Sequence, residues 1–209
     1  LNMKKFFFII ILIVNFETLK AESINDFQIA GISIGDSALD FFSEDDLKSK
    51  RFMYKNKKYA SVAKLIDNGP YEGVSVEFEA NDKKLIITAI NGKILYDNKN
   101  FNDCYKSENQ IVRELKIIFK DNALYNNFGI TVHPGDKTGK SSGSHHQFDM
   151  KDGSGFVMVE CMNWADETGF TDNLKVSIIT DEFNNFLIEI FSALAQVAIH
   201  AIKFSLLDL

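Results

Sequence analysis

Alternating hydrophobic and polar positions predict a run of β-strands through the middle of the chain. Segment 74–79 places three apolar side chains on one side and Ser75, Glu77 and Glu79 on the other, as in a strand with one buried face. Asn91-Gly92 predicts a hairpin turn, since this pair favours the backbone twist of a two-residue hairpin. The predicted strands are residues 59–66, 74–79, 85–90, 93–96, 146–150, 156–162 and 174–180.

Three other segments carry the period of a helix. Residues 37–50 contain Ser43, which precedes acidic residues as a helix-capping serine does, so one helix or two short ones are expected. Residues 107–120 and residues 181–204 supply the other two helices. The order helix, four strands, helix, three strands, helix predicts an α+β fold, with a mostly antiparallel sheet of six to seven strands packed with two or three helices.

The stretch between the second helix and the later strands shows no regular period. Residues 126–144 are rich in Gly, Ser, Lys and Asp. Long connections of this composition lie at protein surfaces and move more than the elements that they join. We therefore expect residues 126–144 to form an exposed, mobile loop.

The beginning of the chain predicts export from the cytoplasm. Two lysines precede nine consecutive apolar residues, 6–14, in the proportions of a secretory signal peptide. Cleavage after Ala21 would remove residues 1–21 and leave an α+β domain, 22–185, followed by an apolar C-terminal helix, 186–209. The alternative is an uncleaved anchor, although a membrane span needs roughly 20 apolar residues. We expect a periplasmic or secreted protein.

The charge balance of the chain limits the classes of molecule that it is expected to bind. The chain has 23 Lys and Arg against 29 Asp and Glu, a net charge of −6, and no cluster of basic residues. Nucleic acid is bound by clustered cations that neutralise phosphates, and anionic lipid headgroups repel an acidic surface. The composition therefore argues against a nucleic-acid partner.

The two cysteines predict a disulfide bond. Cys104 and Cys161 are the only cysteines in the chain, and in an oxidising compartment an even pair favours a bond. The alternative is a pair of buried free thiols. Reactive-cysteine chemistry is disfavoured, because neither residue belongs to a C-x-x-C motif or has a histidine beside it.

The segment 133–146, HPGDKTGKSSGSHH, combines features of three kinds of site. It resembles a phosphate-binding loop that is one residue short, but no helical pattern follows it. His133, His145 and His146, with Asp136, supply side chains that bind zinc and other divalent metals. Neighbouring residues of a strand point to opposite faces, so His145 and His146 are not expected to share an ion. We expect a solvated loop and no cofactor, with a metal site as the alternative.

A second loop carries aromatic and acidic side chains together. Trp164 and Phe170 are interleaved with Asp166, Glu167 and Asp172. An aromatic ring beside carboxylates is suited to binding a sugar or a cation. The alternative, which we favour, is that both aromatic side chains close the hydrophobic core, as aromatic residues commonly do.

Residues 26–37 (DFQIAGISIGDS), 171–176 (TDNLKV) and 180–183 (TDEF) carry a resemblance to known proteins. They are similar to segments of small, uncharacterised secreted or periplasmic proteins of AT-rich marine bacteria. The resemblance covers residues 26–187 in outline. It implies an exported protein, and it implies no catalytic or binding residue.

The C-terminal segment is apolar around most of the circumference of a helix. Its polar residues between 186 and 204 fall on one narrow stripe, so most of the helix surface needs a cover. We expect a protein partner or self-association to supply that cover. A core helix and membrane association through residues 186–207 are the alternatives.

Taken together, these features favour binding over catalysis. No H-E-x-x-H motif is present. We expect a secreted or periplasmic accessory or interaction protein that is not an enzyme. The alternatives are a metal-binding protein that uses the histidine-rich loop and an extracytoplasmic hydrolase without a recognisable motif.

Overall fold

One large antiparallel sheet organises the molecule. The computed structural model describes residues 21–96, 100–133 and 136–190. The sheet contains β3 (Phe52–Met53), β4 (Tyr59–Leu65), β5 (Gly73–Glu79), β6 (Ile87–Leu95), β7 (Ala123–Val132), β8 (Ser142–Met150), β9 (Gly155–Asn163) and β10 (Asn173–Thr180). Its order is β3-β4-β5-β6-β10-β9-β8-β7, so two meanders meet where β6 pairs with β10. A separate small hairpin pairs β1 (Gln28–Ile29) with β2 (Ile32–Ser33).

Three helices accompany the sheet. α1 (Glu44–Ser49) precedes the sheet, and α2 (Phe101–Phe119) connects the two meanders. α3 begins at Asp181 and is described as far as Ile190. The predicted α+β class with an antiparallel sheet is confirmed. The predicted strand count was too low, because the sheet has eight strands rather than six or seven.

The core lies between α2 and one face of the sheet. Ile111, Leu115 and Phe119 follow the helical period and are buried against strand residues such as Val159 and Ile178. This apolar face is why residues 101–119 form an amphipathic helix that lies across the sheet.

A disulfide fastens α2 to the sheet. Cys104 on α2 bonds to Cys161 on β9, with their Cα atoms 6.0 Å apart, so the predicted pairing is confirmed. One helical turn further on, the buried Glu108 carboxylate accepts the Ser144 hydroxyl at 2.7 Å and the backbone N–H of Cys161 at 3.1 Å. Burial raises the pKa of Glu108. These bonds satisfy a polar group that would otherwise be costly to bury.

The opposite face of the sheet is covered in part by α3. Phe183 and Phe186 pack against Tyr59, Phe156 and Ile179 in a second hydrophobic cluster. The first turns of α3 therefore belong to the domain. The remainder of the expected apolar C-terminal helix, from residue 191 onward, and the expected signal segment, 1–20, lie outside the described residues. No helix of the described part of the chain is long and apolar enough to cross a membrane.

Beside α3, polar side chains cross this second face. Glu77 is only 5% exposed and accepts hydrogen bonds from Ser61 Oγ at 3.2 Å and Asn91 Nδ2 at 3.1 Å. Burial raises the pKa of Glu77 to about 7. Glu160 lies further along, with His145 Nδ1 at 2.7 Å and Lys175 Nζ at 2.5 Å. Although burial opposes it, these two contacts lower the pKa of Glu160.

The expected turn at Asn91-Gly92 is wrong. Both residues lie inside β6, which is one continuous strand. Gly92 sits beneath Tyr71 and Ile29, where an added Cβ atom would come within 2.6 Å and 2.7 Å of their side chains. Gly92 therefore allows the side chains of Tyr71 and Ile29 to pack closely against β6. Close approach of other segments is a common reason for a glycine within a strand.

The expected loop at residues 126–144 is wrong at both ends, although residues 137–140 are an exposed connection. Residues 123–132 form β7, and residues 142–150 form β8, so only a short connection remains between them. The first helical segment divides in two, as the capping signal allowed: a 3-10 turn at Ala38–Asp40 precedes α1, whose first turn is capped by the Ser43 hydroxyl.

Removal of the disulfide should destabilise the fold without changing its architecture. The bond closes a loop of residues 57 positions apart, which the chain-entropy account values at roughly 4 kcal/mol. We expect the Cys104→Ala/Cys161→Ala protein to lose about that much unfolding free energy in urea titrations. Reductant should lower the stability of the wild type similarly and leave the double variant unchanged. Rapid thiol labelling of the native, unreduced protein would contradict the bond.

Glu77 should make stability depend on pH. Its pKa is higher in the folded state than the ordinary 4.5, so the folded protein holds the proton more tightly than the unfolded chain. Its contribution therefore lowers stability as the pH rises from about 4.5 to about 7, by up to about 3 kcal/mol. Glu77→Gln should remove this slope from the unfolding free energy. Glu79→Gln, on the same strand but half exposed, serves as the control.

Candidate functional site

The two loops singled out in the sequence meet at one end of the sheet. The connection from β7 to β8 and the connection from β9 to β10 lie side by side. Lys140 in the first forms an ion pair with Glu167 in the second. The N–H of Ala165 donates to the Ser141 hydroxyl at 3.0 Å. A single site thus contains most of the candidate residues.

Asp136 organises the β7–β8 connection. Its carboxylate accepts the backbone N–H groups of Thr138 and Ser141, each at 2.8 Å. Hydrogen bonds from Ser141 and Thr138 hold the pKa of Asp136 well below its usual range. The Asp136 carboxylate is therefore already hydrogen-bonded within the turn that it stabilises.

Three aromatic rings contact one another at the site in tilted pairs. The ring centroid of Trp164 lies 4.7 Å from that of His133 and 4.9 Å from that of Phe170. Trp164 is half-buried, whereas Phe170 is exposed, so Phe170 does not close the core. The short 3-10 turn Asp166–Thr168 ends at Gly169 in the left-handed region, which returns the chain toward β10.

An open surface cavity of about 390 Å³ has Trp164, Asp166, Glu167 and Asp172 in its lining. Asp172 is 3% exposed, and its Oδ1 accepts the backbone N–H of Trp164 at 2.7 Å. Its other oxygen, Oδ2, is buried and has no hydrogen-bond partner among the described residues. Burial raises the pKa of Asp172.

The histidines are not brought together. His145 and His146 are neighbours on β8, and their bonds lie on opposite faces of the sheet. His145 Nδ1 contacts Glu160, whereas His146 Nδ1 lies 2.7 Å from the Tyr125 hydroxyl. Burial lowers the pKa of His146. Within residues 21–96, 100–133 and 136–190, no group of three or more His, Cys, Asp or Glu is placed to hold a metal ion.

One short motif has the spacing of a hydrolase nucleophile but not its setting. Residues 31–35 read G-x-S-x-G. In hydrolases that serine sits on a sharp turn between a strand and a helix. Ser33 instead lies within β2, paired with Gln28, and its N–H donates to the Asp36 carboxylate at 2.8 Å.

The feature that the sequence did not reveal is the outer strand of the sheet. β7 lies at one edge and contains ten residues, none of them charged. Leu124, Phe128, Ile130 and Val132 are each between 57% and 65% exposed. The opposite edge, β3, is only two residues long. A register shift between Asn127 and Gly129 places one bulge in β7.

Exposure on both faces explains why the strand was missed. A strand with one buried face shows alternation, but β7 buries little on either side. Two asparagines and a glycine in its centre have low strand propensity. The remaining sequence signal for a strand was the run of mostly apolar and β-branched residues at 128–132.

Comparisons with known protein families, with curated proteins and with solved structures find no match to this chain. Function is therefore inferred from the geometry and chemistry of the sheet edge.

Proposed function

We propose that the protein is an exported, non-catalytic interaction protein that associates through the open edge of β7. The exposed, uncharged edge strand is the observation that carries this proposal. The Cys104–Cys161 disulfide supports an oxidising, extracytoplasmic location, because such bonds persist there and are rare in the cytosol.

An unprotected edge is unusual in a soluble protein. Natural sheets guard their edges with charges, proline, bulges or very short strands, because unpaired N–H and C=O groups recruit other strands. The short strand β3 fits this practice at the other edge. β7 has the bulge alone, and its ten uncharged residues favour strand addition, in which main-chain bonds supply affinity.

The occupant that fits best is β7 of a second copy. The chain carries a net charge of −6, so two copies repel over most of their surfaces. β7 has no charge, so an approach along this edge brings no charged side chains of the two strands together. Antiparallel pairing of two β7 strands about a two-fold axis would join the two sheets into one.

A charge on β7 should dissociate this dimer. We expect sedimentation analysis to find a dimer for the wild type and a monomer for Ile130→Lys, because a lysine on an edge strand opposes pairing with another strand. Leu65→Lys is the matched control, since Leu65 is another exposed strand residue, at 81%, near the other edge of the sheet. A wild type that stays monomeric over the accessible concentration range would show that the proposal is wrong.

Truncation of the chain distinguishes association through β7 from the expected association through the C-terminal segment. A chain ending at Ile190 keeps Phe183 and Phe186, which pack into the second hydrophobic cluster. If β7 mediates association, this chain should remain dimeric, and amides of β7 should exchange with deuterium more slowly than in Ile130→Lys. Loss of the dimer on truncation would assign association to residues 191–209 instead.

A further inference from the structure

Burial on the second face of the sheet extends beyond the cluster that α3 joins. That cluster includes Ile179 of β10 and reaches Met158, which lies opposite Ser177. Ser177 has no exposed surface. One row further along the strands, Glu160 lies opposite Lys175 and is only 5% exposed. Among the described helices only α3 packs on this face, so the surface around Glu160 needs a further cover.

The polar side chains of this face are suited to an apolar cover. Ser177 Oγ donates to Asn91 Oδ1 at 2.7 Å, and Asn91 Nδ2 donates to Ser75 Oγ at 3.2 Å. In the next row, Glu160 forms an ion pair with Lys175 Nζ at 2.5 Å. Because these groups are paired within the face, a covering helix has to supply no polar partner.

The two sides of α3 continue in phase into the segment that follows Ile190. The side that packs on the sheet contains Phe183, Phe186, Leu187 and Ile190. At 3.6 residues per turn it continues at apolar positions, namely Leu194, Val197 and Ala201. The exposed side contains Glu182, Asn185 and Glu189. It continues at polar positions, namely Ser192, Gln196, His200 and Lys203.

The length of the segment matches the length of the face. α3 follows β10 directly and packs on the same sheet, so it runs back over the face from the end where β10 finishes. The distance from Ile179 to Asn173 along β10 is about 20 Å at 3.4 Å per residue. A helix covers that distance with about 13 residues at 1.5 Å each. Counted from Phe186, such a helix reaches about residue 199.

Residues 191–201 are the cover that fits this face best. They are attached directly to α3, so their effective concentration at the face is far above that of a separate chain. A bilayer would have to accept Gln196 and His200, which are costly in hydrocarbon. A position over the sheet leaves both residues on the side that faces water.

We propose that residues 191–201 continue α3 and cover the second face of the sheet over Ser177 and Glu160. The segment is then part of the domain core, rather than a surface for a partner chain or a membrane anchor. The β7 edge belongs to the other end of the sheet order, and this inference does not depend on association through it.

Two aspartate substitutions in the whole chain test the assigned sides. Leu194→Asp places a charge on the side that meets the sheet, and it should lower the thermal midpoint by about 5 to 15 °C. Gln196→Asp introduces the same charge two residues away on the water side, and it should shift the midpoint by less than about 2 °C. If Leu194→Asp does not fold, Leu194→Ala against Gln196→Ala gives the same contrast, with a smaller fall.

Acetylation of lysines locates the contact on the sheet. Lys175 is in the covered row, and its side chain is 27% exposed. Its acetylation rate, followed by mass spectrometry well below the midpoint, should rise severalfold in Leu194→Asp and stay unchanged in Gln196→Asp. Lys106, on α2, is 75% exposed and serves as the internal control with no expected change.

Three results would overturn the proposal. Equal midpoints for the two aspartate variants would show that the segment does not pack through Leu194. A lower midpoint with unchanged acetylation of Lys175 would show that the segment packs elsewhere. Conversion of a dimer to a monomer by Leu194→Asp would assign the segment to an interface between chains. A wild type that is monomeric would contradict association through β7 and leave this test intact.

Discussion

The attachment of α2 to β9 is the constraint on which the rest of the structure depends. The Cys104–Cys161 bond and the buried Glu108 carboxylate act one helical turn apart, so the helix can neither slide nor rotate against the sheet. The Ser144 hydroxyl extends the same contact to β8. Because β8 and β9 are held in this way, the elements attached to them also have a defined position. These elements are β7, which pairs with β8, and the loop that follows β9.

The two edge strands of the sheet differ in length. β3 ends one edge after two residues, whereas β7 continues for ten and pairs with β8 along its whole length. Ala123 and Tyr125 pack against the main core, whereas Leu124, Phe128, Ile130 and Val132 are exposed and contribute little apolar burial.

The buried carboxylates differ in how the fold compensates them. Glu108 accepts bonds from β8 and β9, Glu77 accepts from Ser61 and Asn91, and Glu160 contacts His145 and Lys175. Glu108 and Glu77 are hydrogen-bonded by the protein itself, whereas Glu160 Oε2 has no hydrogen bond and is compensated by Lys175 Nζ at 2.5 Å. Asp172 is held through one oxygen only.

The sequence by itself determined the α+β class, the disulfide pair, the strands with one buried face and the Ser43 cap, because period, cysteine count and capping chemistry are local signals. It placed a turn at Gly92, where only packing against Tyr71 explains the glycine. It missed β7, since an edge strand exposed on both faces has no alternation to detect. Only the tertiary structure could bring the two loops together and leave one oxygen of Asp172 unpaired, because both depend on contacts between residues far apart in the chain.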